Sequence, residues 1–187
     1  LKTIAMSETY QRSSRLTRER LHCDPDNRWL GRGPRLRLDA EVIRDSALFA
    51  GGLLSDKLGG PSVFPYHPKG LWQEINNRPG YSRTYKQDSG EKLYRRSLYV
   101  NWKRTSPHPM MILFDAPDRE SSCVRRSRTN TSLQSLGLLN ETQRIEMARK
   151  ISERLITDAE DDDSRLDLLF TLIASRPPND GERKACD

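Results

Sequence analysis

Asp115, Asp118 and Glu120 lie with Arg119, Arg125, Arg126 and Arg128 inside sixteen residues that close on Asn130. Two chemistries use such a set. Guanidinium groups grip carboxylate, phosphate or sulfate oxygens through paired hydrogen bonds, which makes the arginines and Asn130 candidates for anion or partner binding. Paired carboxylates do acid/base work, which makes Asp115, Asp118 and Glu120 the candidate catalytic residues. The plainer reading is a network of Arg-carboxylate links that pins an irregular segment, since such networks also concentrate titratable groups. The plainer reading leads.

Other reactive residues are sparser. Cys123 sits among arginines that would lower its thiol pKa, but a nucleophile needs a positioned base, and His108 is the only histidine near in sequence. Burial or a disulfide suits Cys123 better. His22-Cys23-Asp24 offers adjacent metal-binding types without a spaced second pair, and reads as a surface turn. His67 between Pro65 and Pro68, and His108 between Pro107 and Pro109, mark turns. Arg95, Arg96, Lys103 and Arg104 alternate with Tyr94, Tyr99 and Trp102, a mixture that can stack on bases while holding phosphates. Trp72, Trp102 and the tyrosines can equally stack on sugar rings or fill a core, and core or interface packing is the simpler role.

These residues need elements to hold them. Lys2 to Tyr10 has short helical spacing, broken by Gln11-Arg12-Ser13-Ser14-Arg15. Asp24 before Pro25 predicts a second short helix carrying Trp29 and Leu30, stopped by Gly31 and Gly33. From Asp39 as cap, Val42, Ile43, Ala47, Ala50, Leu53 and Leu54 form one apolar helical stripe, in which Gly51 or Gly52 can admit another backbone. Pro61 to Gly80 reads as an ordered irregular segment. Tyr81 to Leu93 predicts a short β-hairpin or extended arm turning at Gly90. Tyr94 to Lys103 favours helix over strand, and Met110 to Phe114 has strand character. Asn130 or Thr129 then caps a helix with Leu133, Leu136, Leu138 and Leu139. A second runs from about Glu141 to Thr157, and a third follows the acids of 158–163, whose charge favours a helix N-terminus. Three amphipathic helices in a row predict a C-terminal helical bundle.

The fold class expected is therefore mainly α: an irregular helical domain with a short β-hairpin or arm, long ordered loops and that bundle. Residues 1–187 read as one domain fragment, with a helical part over 1–60, a loop-rich Arg and aromatic part over 61–130, and three helices over 131–187. Starting without Met and ending on residues that read as the start of a helix, the chain is expected to be a piece of a longer protein.

The charge is uneven. Residues 1–81 hold 13 basic and 9 acidic groups, 82–128 hold 11 and 5, and 129–187 hold 8 and 12, giving balances of +4, +6 and −4. Arg outnumbers Lys 24 to 8, and Arg is the cation suited to planar, bidentate pairing. Much of the Arg is thus expected to wire the interior. The 34% hydrophobic content predicts a thin core, while three Trp, six Tyr and four Phe argue for a folded chain. No apolar run reaches membrane-spanning length, and Leu1-Lys2-Thr3-Ile4 lacks a signal peptide's regions. The widely spaced Cys23, Cys123 and Cys186 supply neither a metal-binding pair nor a haem-attachment motif.

Several strings resemble one family. They are Leu93-Tyr94-Arg95-Arg96-Ser97-Leu98-Tyr99, Trp102-Lys103-Arg104-Thr105-Ser106-Pro107, Phe114-Asp115-Ala116-Pro117-Asp118-Arg119-Glu120, Cys123, and Arg125-Arg126-Ser127-Arg128-Thr129-Asn130-Thr131. Upstream, Thr9 to Ser14, Arg37 to Glu41 with Arg44-Asp45, and Gly59 to Val63 extend the likeness over nearly the whole chain. The family is the domain of unknown function numbered 1553, found at the C-terminal end of large planctomycete proteins. The resemblance implies an exported, periplasmic or extracytoplasmic protein whose other domains often include a haem c type, and it assigns no activity. Where the family usually has Pro after Asn-Thr, this chain has Ser132.

Three functions follow as expectations. The first is an interaction or scaffold module that packs on sister domains of the same polypeptide and presents a basic face of Arg95, Arg96, Arg119, Arg125, Arg126, Arg128 and Asn130 to a polyanion or redox partner. The second is part of an enzyme acting on an acidic or sulfated glycan through Asp115, Asp118 or Glu120. The third, ranked last, is single-stranded nucleic-acid binding. No cofactor, haem or metal is expected in this segment.

Overall fold

The computed structural model describes residues 1–75 and 83–186. They form two units, Leu1–Arg37 and a larger one from Leu38 onward.

The first unit holds two short helices, α1 (Lys2–Ala5) and α2 (Arg18–Cys23). α1 ends early because the Ser7 hydroxyl donates to the Ile4 carbonyl at 2.8 Å, taking an acceptor the helix would use. α2 is capped by Thr17, whose hydroxyl accepts from the Arg20 amide. The helix expected after Asp24 is a loop instead. Both carboxylate oxygens of Asp24 accept backbone amides, from Arg28 and Trp29, each at 2.8 Å. Arg32 donates to the Asp24 and Pro25 carbonyls at 2.7 and 2.6 Å. The six residues between Asp24 and Gly31 give too few helical bonds to offset nucleation, so the side-chain ties win. Trp29 is left exposed.

The larger unit is built around α3 (Ala40–Ala50), whose buried positions Ala40, Arg44 and Leu48 recur every four residues. The apolar stripe expected through Val42 is rotated, with Val42 and Phe49 facing solvent. Arg44 occupies the centre of the buried face. The helix also stops at Ala50, short of Leu54, where the amides of Leu53 and Leu54 both return to the Leu48 carbonyl. Gly51 does admit another backbone: a Cβ there would stand 3.3 Å from the Met147 carbonyl oxygen.

The described residues from Leu53 to Ser106 are mostly irregular. They contain α4 (Leu71–Ile75), two single 3-10 turns over Gly90–Tyr94 and Ser97–Tyr99, and two isolated parallel bridges, Ser55 with Arg95 and Val63 with Val100. The hairpin expected before Leu93 is absent among the described residues, Tyr81 and Ser82 lying outside them. The helix expected over Tyr94–Lys103 is absent too. Its carbonyls are claimed from elsewhere: Leu93 and Arg95 by the Arg44 side chain, Tyr94 by the Ser55 amide, Tyr99 by the Val63 amide.

Of Met110 to Phe114, expected as a strand, all but Phe114 lie in α5 (Pro109–Leu113), and Phe114 follows its end. Pro109 is at a first-turn position, where its missing N–H costs nothing, and short apolar runs do not distinguish helix from strand by period. α6 (Ser132–Asn140) follows, capped by Thr131 rather than by Asn130 or Thr129, with a reciprocal box to Gln134. Ser132 is its first residue, a position where Pro fits, so the departure from the family pattern leaves the helix intact.

α7 (Thr142–Asp158), α8 (Asp162–Ala174) and α9 (Asp180–Cys186) complete the chain. Asp161 caps α8 as the acidic run predicts. α3 packs on α5, α7, α8 and the 97–99 turn, α6 on α5 and α7, and α7 on α8. The core is thin: Ala40, Met111, Phe114 and Ala116 cluster with Ile43, Trp102, Met110 and Leu113 around them. The fold is mainly α.

Candidate functional site

The best-organised polar centre lies inside the larger unit, around Arg44, which is 4% exposed. Its Nε donates to Gln143 Oε1 at 2.8 Å, Nη1 to the Arg95 carbonyl at 2.9 Å and to Ser97 Oγ at 3.2 Å, and Nη2 to the Leu93 carbonyl at 2.8 Å. Gln143 in turn donates to the same Leu93 carbonyl. Asp45 stands 3.6 Å from Nη1 and accepts the Ser97 amide and hydroxyl at 2.8 and 2.6 Å. Burial pulls the Arg44 pKa down to about 10, against the opposing pull of Asp45, so the group stays charged at neutral pH. One guanidinium thus joins α3, α7 and both 3-10 turns.

Arg95 repeats the device. Also 4% exposed, it donates to the carbonyls of Pro61 and Lys57, each at 3.1 Å, and to that of Gly59, while stacking 3.8 Å over the Tyr99 ring. Tyr99 accepts the Gly59 amide. Arg95 therefore holds the 57–61 loop from inside, and Arg96, exposed, keeps only a loose 3.9 Å approach to Asp45.

The acid and Arg cluster divides into two parts. Asp115, at φ +59°, accepts the Thr129 amide at 2.8 Å and the Thr129 hydroxyl at 3.0 Å on each oxygen. Thr129 Oγ1 also accepts from Gln134, which donates to the Leu113 carbonyl as well. This ties the end of α5 to the start of α6. Asp118 and Glu120 are exposed, Asp118 accepting the Glu120 amide. Arg119, at φ +67°, lies 4.6 Å over the Trp102 ring, whose indole N–H donates to the Asp118 carbonyl.

The second part faces the start of α3. Arg126 grips Glu41 with two bonds of 2.7 and 3.1 Å and stands 3.6 Å from Asp39, while Arg128 approaches Asp39 at 3.9 Å. Burial pushes Glu41 upward, but the hydrogen bonds and charge of Arg126 outweigh it and hold its carboxyl below the usual range. Arg125 is exposed and makes no ion pair among the described residues. Arg125, Arg126, Ser127 and Arg128 with Asp39 line one open depression, and Asn130 is exposed just beyond. Asp39 is turned to the arginines and forms no side-chain cap on α3.

A further constellation was not legible. Phe64, Trp72, Tyr85, His67 and His108 form one aromatic cluster, with His67 stacked on Tyr85 at 4.5 Å and the two histidine rings edge-on at 6.1 Å. His108 does precede α5 at a turn, but it is also 6% exposed, and burial first, then the charge of Arg44, pull its pKa down to about 4. Trp72 is core, with Lys103 4.2 Å over its ring. Only the repeated aromatic-proline alternation of 64–68 hinted at this.

Cys23, Cys123 and Cys186 are free and exposed, so burial or pairing of Cys123 does not occur here. Among the described residues no group of three or more His, Cys, Asp or Glu could hold a metal ion, and no helix is long and apolar enough to cross a membrane. No curated protein and no solved structure matches the chain. One family model does, over residues 1–187, and the strings around Arg95, Asp115 and Arg126 that organise this geometry are the same that resembled it. The chain belongs to the family described as protein of unknown function DUF1553.

Proposed function

We propose that the domain is a non-catalytic interaction module of a larger exported protein, and that Arg125, Arg126 and Arg128 present a basic face to an acidic partner, either a polyanion or an acidic surface of a sister domain. The observation that carries this reading is the division of labour among the arginines. Arg44 and Arg95 are spent on carbonyls inside the fold, whereas Arg125 is exposed and Arg128 is held only at 3.9 Å. Arg126, fixed by Glu41, orients the segment between them. Planar guanidinium groups on a fixed backbone suit carboxylate, phosphate or sulfate oxygens. Export rests on the family resemblance.

The acid/base alternative has less support. Both oxygens of Asp115 accept from Thr129, which leaves Asp118 at the side of a wide, open depression and Glu120 exposed outside it, so no two free carboxylates face one another across a cleft. Binding of single-stranded nucleic acid loses its main platform, since Arg95 and Tyr99 are stacked on each other within the fold.

The test is retention on immobilised heparin of the wild-type chain and of an Arg125→Glu/Arg128→Glu variant. The expected result is a large drop in the salt needed for elution, with the melting temperature held within a few degrees. Equal retention of both proteins overturns the proposal.

A further inference from the structure

Asp39 stands inside the depression that Arg125, Arg126 and Arg128 line. Its two carboxylate oxygens face different guanidinium groups, Oδ2 at 3.6 Å from Arg126 Nη1 and Oδ1 at 3.9 Å from Arg128 Nη2. Both distances are longer than a hydrogen bond. An external carboxylate, phosphate or sulfate oxygen would take the same place between the same two cations, so Asp39 is an internal occupant of the binding face. Glu41 differs. It holds Arg126 through two bonds of 2.7 and 3.1 Å, which fix the arginine rather than fill the opening. With Asp39 and Glu41 set against the three arginines, the face keeps a single net positive charge.

Asp39 has a second place to go. It is the N-cap residue of α3, with extended backbone at φ −66° and ψ 152°, yet its side chain makes no cap bond. From that position a carboxylate ordinarily accepts the amide of the second or third helical residue, here Glu41 or Val42. First-turn amides have no partner inside a helix, and the helix dipole favours a negative charge beside them. A loose ion pair open to water contributes no more than such a cap. Rotation of one side chain therefore exchanges two holdings of similar strength, and an arriving anion tips the exchange. The anion takes the guanidinium groups, Asp39 turns to α3, and the face presents a second net positive charge as it fills.

We infer that Asp39 is a built-in competitor for the Arg126 and Arg128 face, masking it while it is empty and capping α3 when an anion is bound. This inference rests on the basic face proposed above and adds the residue that sets its affinity. A carboxylate that only held the two arginines in position would act in the opposite sense, since its removal would weaken binding. The two roles differ in sign.

The experiment is titration calorimetry of the full chain with a heparin octasaccharide at low salt, comparing wild type with Asp39→Asn and Asp39→Ser. Both variants remove the charge and keep a capping oxygen. Each is expected to bind about fivefold more tightly, as loss of two exposed attractions to a competitor predicts, and the gain should fade as salt is raised. Asp158→Asn, the same charge change outside the depression, should leave the affinity nearly unchanged. Affinity that is unchanged or lower in both Asp39 variants overturns the inference, as does an equal gain in Asp158→Asn. The Arg125→Glu/Arg128→Glu variant separates the two readings. If it binds as the wild type does, the basic face fails and this inference with it; if it loses binding while the Asp39 variants show no gain, this inference fails alone.

Discussion

Arg44 shows how one residue can organise a domain with little apolar material. A guanidinium with four fixed bonds to separate parts of the chain supplies directional links, and removing it would strand the Arg95 carbonyl and the Gln143 side-chain oxygen without donors and leave the Leu93 carbonyl to Gln143 alone. Arg44→Met is therefore expected to cost roughly 3–5 kcal/mol, because the loss includes the desolvation of what remains. Arg44→Lys should recover only part, since an ammonium cannot reproduce the fork. Urea denaturation of both variants checks this, and a loss below about 1 kcal/mol for the Met variant would count against it. His108 makes a second case. Its folded pKa of about 4 lies below the ordinary 6.5, so the unfolded chain binds the extra proton between those values. Its contribution is complete above 6.5 and is lost as pH falls towards 4, a change of about 3 kcal/mol. His67, also lowered by burial, acts in the same direction. Denaturation at pH 7 and pH 4.5 should show the difference, and His108→Gln should flatten it.

Elements were legible in proportion to how much of their bonding is local. α7 and α8 follow from apolar spacing and from Asp161, whose cap lies within three residues of its partner. The stretch from Leu93 to Val100 has an equally suggestive pattern, yet its carbonyls go to Arg44 and its amides to Asp45 and elsewhere, at separations of about fifty residues. No local rule could find those partners. The same holds for the face of α3: periodicity chose Val42 because Arg is normally a surface residue, and the fold buried Arg44 instead. The junction of α5 and α6 gives a test at this scale. Thr131→Ala removes one half of a capping box and should cost about 1 kcal/mol. Gln134→Ala should cost more, because Gln134 is buried and also holds the Leu113 carbonyl and Thr129. Equal melting temperatures for the two variants would contradict that ordering. In the smaller unit, Gly33→Ala places a Cβ 2.6 Å from the Arg12 carbonyl oxygen. Faster proteolysis confined to residues 1–37 is the expected outcome.

Across the molecule, composition anticipated the character of the fold better than its course. A chain with 24 Arg, 8 Lys and 34% hydrophobic residues has limited apolar area to bury, and hydrogen-bonded guanidinium groups at its centre are the consequence. The candidate site was half legible. The run from Asp115 to Asn130 was identifiable as polar and specified, but its division into an internal tie, Asp115 with Thr129, and an outward face depends on Glu41 and Asp39, some eighty-five residues upstream. Charge counts could not make that division. The meeting of the two histidine rings in the aromatic cluster could not be read ahead, since His67 and His108 are 41 residues apart and neither sits in a recognisable motif. The most direct check on the proposed basic face is the salt dependence of heparin affinity, plotted as the logarithm of one against the other. The wild type should give a steep slope, and the Arg125→Glu/Arg128→Glu variant a slope shallower by about two ionic contacts. A flat wild-type slope, or one unchanged in the variant, would contradict the claim that these arginines meet an acidic partner.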